Sequence, residues 1–212
     1  MHRLQVIIGS TRPTRAADLV ARWVMDRAGQ RDDFAVELLD LRDWPLPMFA
    51  EHYGTIGDFA DPTYSDPVVR RWNAKIREGD AYLIITPEYN HSIPAVLKNA
   101  IDSVFASFAF RNKPVGVVAY SGAGTGGARA AEHLTQIMVE TEAVPLRSSM
   151  SIGDVTAAFT GEPAEPAEPL TDVKLGVLLD DLAWWAGALT TARAGGELPP
   201  AVLRVRAAMQ SA

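Results

Sequence analysis

Arg3–Gly9 (RLQVIIG), Ala81–Thr86 (AYLIIT) and Val115–Tyr120 (VGVVAY) are short, nearly continuous apolar runs bounded by turn residues. That is the pattern of strands buried on both faces of a parallel sheet. Phe34–Leu41 (FAVELLDL) predicts a further strand, and Ala143–Met150 (AVPLRSSM) a fifth. Between the strands the apolar period changes from 2 to 3.6. Ala17, Leu19, Val20, Trp23 and Val24 recur at helical spacing. Pro67–Gly79 reads as a helix with proline at its start and glycine at its end. Further helices are expected from about residue 94 to 107, from 127 to 141 and from 170 to 192, whereas 43–66 is a long loop containing Pro and Gly. Gly161–Pro169 (GEPAEPAEP) is a local Pro/Glu repeat, expected to be a solvated loop insertion.

Alternating strands and helices imply an α/β domain with helices on both faces of the sheet. Five strands without a second βαβαβ half fit a three-layer, flavodoxin-like fold with a parallel sheet in the order 2-1-3-4-5. The expected domain covers 1–196, and 197–212 is a C-terminal tail with room for a further helical turn or two. In such sheets ligands collect at the carboxyl ends of the strands, beside the switch between strands one and three. The loops after strands one, three and four are therefore the places to look.

Composition narrows the chemistry. The chain has 212 residues, 48% of them hydrophobic, enough for one substantial core. A formal charge of −6, without a Lys/Arg run, argues against a nucleic-acid or anionic-membrane partner. With no cysteine, thiolate nucleophiles, disulfides and cysteine-ligated clusters are excluded. No apolar signal segment precedes the first strand and no stretch reaches ~18 apolar residues, so a soluble cytoplasmic protein is expected.

Each of the three loops is chemically unusual. After strand one, Gly9-Ser-Thr-Arg-Pro-Thr-Arg15 brings hydroxyls, two guanidiniums and a helix start together, a cradle suited to a phosphomonoester. The plainer reading is a helix capped by Thr14 with solvated arginines. No G-x-x-x-x-G-K-[ST] motif is present, so the phosphate would be held without a metal. After strand three, Pro87 and Pro94 bracket a rigid segment, Glu88-Tyr-Asn-His-Ser92, able to edge a flat heteroaromatic ring. His91 invites a general-base reading but lacks a visible Ser–Asp partner arrangement, and Lys98 and Asp102 are spaced for a structural ion pair.

After strand four, Gly122, Gly124 and Gly127 satisfy the G-x-G-x-x-G spacing of a dinucleotide turn. That motif normally follows the first strand and is answered by an acid about twenty residues on; here Arg147, Ser148 and Ser149 stand near that place. The alternative, which we favour, is that glycines let the backbone approach a planar ring and present amide N–H groups.

GSTRPTR, PEYNHSIPAVLKNAID and YSGAGTGGARAAEHL, in this order and spacing, resemble the NADPH-dependent FMN reductase family, which includes chromate, quinone and azo-dye reductases. The similarity runs from about Leu4 to Ser149. It implies bound FMN. Ser10, Arg12, Thr14 and Arg15 would hold the phosphate; Pro87, Glu88, Tyr89, Asn90 and Ser92 would line the isoalloxazine and ribityl side; Ser121, Gly122, Ala123 and Gly124 would contact the pyrimidine end. His91 and Ser103 depart from residues frequent in the family and bear on substrate choice. The resemblance implies NADPH or NADH as co-substrate, a small-molecule electron acceptor, no catalytic side chain and no metal, and ping-pong turnover in a homodimer or homotetramer. A flavodoxin-like electron carrier and a specialised biosynthetic flavoenzyme are the alternatives. The apolar stretches Ser103–Phe110 and Trp44–Phe49 are the expected subunit contacts.

Overall fold

The computed structural model describes residues 1–52, 54–58, 61–160 and 165–211. The main sheet is built from β1 (His2–Ile8), β2 (Phe34–Asp40), β3 (Ala81–Pro87), β4 (Pro114–Tyr120), β5 (Val144–Pro145) and β6 (Met150–Ile152). Its order is β2-β1-β3-β4-β5, parallel throughout, with β6 also paired to β4. This is the expected 2-1-3-4-5 order, with the fifth position split. Val115 of β4 faces Pro145, and Val118 faces Met150. The Leu146 amide still donates to the Val115 carbonyl at 2.8 Å, but the chain then leaves the sheet through a turn at Arg147 and Ser148, so the single strand expected over Ala143–Met150 is two short ones.

The helices are α1 (Ala17–Gly29), α2 (Pro67–Glu78), α3 (Ala95–Phe105), α4 (Ala128–Glu140), α5 (Pro169–Ala194) and α6 (Ala201–Gln210). Strand alternation sorts them into two cores. Val6, Ile8, Leu83 and Ile85 face α1 and α5, where Trp23 and Leu178 are buried. Ile7, Tyr82 and Ile84 point the other way, onto α2, α3 and α4. β3 and β4 are buried at every position, which is why their sequences are apolar without alternation. α2 shows how local chemistry sets an element's start. Asp66 caps it, its carboxylate accepting from the Val68 and Val69 amides at 2.7 and 3.2 Å, and Pro67 occupies the first turn. Removing that cap would cost about 1 kcal/mol.

Of the two stretches expected at a subunit contact, the first is mostly used inside the chain and the second only in part. Val104, Ala106, Ala109 and Phe110 are core residues. Trp44 packs on Trp72 with ring centroids 5.0 Å apart, and Phe49 on Tyr64 at 6.1 Å. Of that second stretch Pro45, Pro47 and Met48 stay exposed. The loop from 43 to 66 thus folds over α2 and α3, carrying a small antiparallel hairpin, Gly57–Asp58 with Asp61–Pro62. In the Pro/Glu repeat, Glu165–Pro166 pairs with Phe159–Thr160, and Glu165 forms an ion pair with Arg27; residues 161–164 of the repeat lie outside the described residues. Among the described residues no helix is long and apolar enough to cross a membrane.

Candidate functional site

β1, β3 and β4 lie side by side, and their ladder pairs Ile8 with Ile85 and Pro87 with Tyr120. The three loops singled out above therefore leave the sheet next to one another, at its carboxyl edge. Cross-links join them. Ser10 is fully buried, and its hydroxyl shares a 2.8 Å hydrogen bond with the Tyr89 hydroxyl. The Arg12 guanidinium stacks on the Tyr89 ring, its Cζ 3.7 Å from the centroid, a cation–π arrangement. The Glu88 amide donates to the Tyr120 carbonyl at 3.0 Å.

The two arginines of the first loop have different fates. Arg12 is exposed and, apart from its stack on Tyr89, has no partner among the described residues. Arg15 is buried and its guanidinium is fully engaged. Nε and Nη2 donate to Asp18 at 2.9 and 2.7 Å, Nη1 to Asp40 at 2.7 Å and to the Ser10 carbonyl, and Nη2 to the second Asp40 oxygen. Burial works against its charge, but the hydrogen bonds it donates to Asp40 and Asp18 outweigh that cost and raise its pKa. Burial likewise opposes ionisation of Asp40, yet hydrogen bonds from Arg15 and Arg42 hold that carboxyl at about 2. Arg15 thus fixes the shape of the loop and presents no free donor to the cradle. Thr14 is exposed and does not cap the helix, since the cap position of α1 is Ala16 and no side chain caps it. The capping alternative for Thr14 is not what the structure adopts.

The second loop makes a tight turn. Tyr89 and Ser92 exchange backbone hydrogen bonds at 2.8 and 3.1 Å, and Asn90 and His91 between them have φ of 50° and 73°, as a two-residue type I′ turn requires. The turn leans on α4. Arg129, near its start, pairs with the Glu88 carboxylate and lies 3.1 Å from His91 Nδ1; His133 Nδ1 lies 2.9 Å from the Ser92 hydroxyl. Pro87 is buried at the strand end. Lys98 and Asp102 form the expected helical ion pair, with Nζ 2.6 and 2.7 Å from the two carboxylate oxygens.

The glycine loop separates its glycines by cause. Gly127 has φ of 81°, and a Cβ there would sit 2.7 Å from the Tyr120 amide nitrogen. Gly126 also has positive φ. Gly122 and Gly124 need neither freedom: neither has positive φ, and a Cβ on either would meet nothing within 4 Å. The loop is nonetheless held. Ser121 Oγ donates to the Ala123 carbonyl at 2.6 Å, the Ser121 amide donates to the Ile152 carbonyl at 3.1 Å, and the Val155 amide to the Ser121 carbonyl at 3.0 Å. Tyr120, at the base of the loop, is buried, and burial pushes its phenol well up. Among the described residues no cluster of His, Asp or Glu is placed to hold a metal ion.

Four participants escaped sequence reasoning. Asp18 and Asp40 clamp Arg15, and Arg129 and His133 brace the second loop from α4. An acid at the carboxyl end of β2 was the available signal for Asp40. Arg129 and His133 gave only their helical spacing.

Comparison with known proteins agrees with this layout. Residues 2–157 match the family described as NADPH-dependent FMN reductase. An NAD(P)H-dependent FMN reductase of Schizosaccharomyces pombe is 35% identical over 58% of this chain, and the matched region spans 60% of that relative's length. An NAD(P)H-dependent FMN reductase of Pseudomonas aeruginosa is 34% identical over 70% of each chain. The fold is similar to that of a solved flavoenzyme NAD(P)H:(acceptor) oxidoreductase from Paracoccus denitrificans, with a TM-score of 0.69 at 23% identity, covering 89% of this chain and 98% of the other. The three loops and the family match together show that this chain belongs to the NADPH-dependent FMN reductase family.

Proposed function

We propose that the protein is an NAD(P)H-dependent oxidoreductase that holds FMN across the three loops and delivers electrons to a small acceptor such as a quinone, an azo compound, a metal oxyanion or free flavin, in a ping-pong cycle. The observation that carries the reading is the pair Gly122 and Gly124. Neither backbone strain nor packing within the chain accounts for them. A planar ligand seated against their amides would.

The residues present fit FMN. Arg12 and Thr14 offer unpaired polar groups beside a helix start that no side chain caps, which suits a phosphate. In this reading Arg15 and Ser10 keep the first loop in shape, while Tyr89 ties the phosphate end to the ring end. Pro87, Glu88, Asn90 and Ser92 belong to the rim of the ring and ribityl chain, with Glu88 and Ser92 held by Arg129 and His133. FMN, when bound, supplies two-electron exchange between nicotinamide and acceptor. The chain's own part is placement: the amides of Gly122 and Gly124, on either side of Ala123, whose own amide donates to Ser121 Oγ at 3.3 Å, would face the pyrimidine edge and favour negative charge there. No side chain is assigned as an acid or base. The name of a curated relative, a quinone reductase of Pseudomonas putida 32% identical over 66% of this chain, supports a quinone as one acceptor.

The test is a spectrum of the purified protein, followed by anaerobic NADPH and a panel of acceptors. Non-covalent FMN, bleached without a partner protein and reoxidised by a small acceptor, is expected. A protein that neither binds added FMN nor oxidises NAD(P)H would end this reading, and slow bleaching without a partner would point to an electron carrier.

A further inference from the structure

α5 is apolar on two opposite faces. Leu175, Leu178, Leu179, Leu182 and Ala186 are buried against the sheet. On the far side Leu170, Val173, Val177 and Trp184 are 56, 59, 50 and 66% exposed. Their spacing of three, four and seven residues makes one narrow stripe along the helix. Helices that are apolar all round are ordinarily covered all round. This one lies open.

A second open stripe lies at the end of the chain. α6 has no buried residue. Leu198, Val202, Val205 and Met209 are 66, 44, 60 and 76% exposed. They are spaced four, three and four residues apart, so the three within the helix form one face and Leu198 leads into it. An isolated helix of this length is marginal in water, and α6 needs something to lie on. It does not lie on its own α5 stripe. Its approach is pinned elsewhere, by Arg111 to the Leu198 carbonyl, by Asn112 to Glu197 at 2.6 Å, and by the Ala201 amide to Glu142 at 2.7 Å.

We propose that the occupant of each stripe is the other, supplied by a second copy of this chain: α6 of one protomer docks along α5 of its partner, and the exchange is reciprocal. A two-fold arrangement covers both pairs of stripes at once, with closed symmetry. Charge agrees with the pairing. Asp181 borders the α5 stripe and Arg206 borders the α6 stripe, and neither has an ion-pair partner among the described residues. Asp180, on the other border, is 68% exposed and paired only with Arg31. α6 carries Arg204 and Arg206 and no acid. The contact uses no residue of the three loops, so it stands apart from the redox function proposed above.

The chain contains no cysteine, so introduced thiols report without interference. Full-length Val177→Cys and full-length Val205→Cys, each at the middle of its stripe, are mixed and treated with a short bis-maleimide, which tolerates a turn of error in register. The expected result is a covalent dimer containing one chain of each kind, at a yield several-fold above that of either variant alone. A cross-link formed within single chains of the doubly substituted protein would show that α6 folds back on its own α5, and would overturn the proposal. Absence of any cross-link would do so as well. Val205 is exposed, so Val205→Glu leaves the fold intact; by light scattering it should halve the assembly's mass while NAD(P)H oxidation is retained. An unchanged mass would contradict the docking.

Discussion

Arg12 and Arg15 stand three positions apart in one loop, yet only Arg12 has donors to spare. If it meets the FMN phosphate, its charge-assisted bonds contribute roughly 1.5–3 kcal/mol. Arg12→Ala should then weaken FMN by about one to two powers of ten and leave riboflavin, which lacks the phosphate, nearly unaffected; equal losses for both ligands in a titration would refute that role. Gly124→Val isolates the other end. Its Cβ would meet nothing in the protein alone, so thermal stability of the flavin-free protein should hold, while FMN and riboflavin both weaken. A normal affinity and potential for both, with a raised KM for NADPH, would return the loop to the dinucleotide reading. Arg15 has a different signature. Asp40 is held at about 2, against an ordinary value near 3.9. The lowered value means its stabilisation is complete above the unfolded pKa and is lost as pH falls from about 4 through 2. The loss amounts to ~2 kcal/mol. Asp40→Asn should remove that component from the acid unfolding profile; an unaltered profile would deny the pairing its weight. The sequence presents both arginines alike. What separates them is Asp40, which only the β1–β2 pairing brings beside the loop.

Among the elements, the junction of α2 with β4 carries an unusual group. Lys113, immediately before β4, is buried and donates to the Arg77 carbonyl at 2.9 Å and the Tyr82 hydroxyl at 3.1 Å. It thus meets the carbonyl end of α2, where a cation is favoured. Burial, reinforced by the charge of Arg193, lowers its pKa to about 7. The unfolded chain keeps the proton up to about 10. Across that window the unfolded state binds more protons, so stability should rise with pH; below 7 the folded state bears the whole penalty. Urea midpoints at pH 7 and 9.5 should show the rise, and Lys113→Met should flatten it. A slope that survives the substitution would assign it to another group. The long elements were readable because burial on both faces, or on one helical stripe, writes itself into the sequence. The fifth strand was not, because its division depends on a turn at Arg147 and Ser148 that no Gly or Asn announces. The left-handed turn at Asn90 and His91 was hidden because no glycine marks it, although both residue types tolerate positive φ.

For the whole molecule, the sequence conveyed layers, strand order and the edge where ligands gather, because these follow from the order of elements. It could not convey which apolar segments remain outside. Ser103–Phe110 looked surplus to a single domain, but the 43–66 loop and the second core absorb most of it. The surplus lies on α5 and α6, where an even spread of apolar residues disguised one of the two faces. The glycine loop is tied to Ile152 and Val155 by main-chain bonds, and the first loop is clamped by Arg15. Little has to rearrange before flavin can sit down. Encounter should therefore be a single step, with an observed stopped-flow rate that climbs linearly with FMN concentration and a second-order constant no lower than about 10⁵ M⁻¹s⁻¹. A rate that levels off at high FMN would reveal a slow opening instead, and with it a site that waits in a closed form.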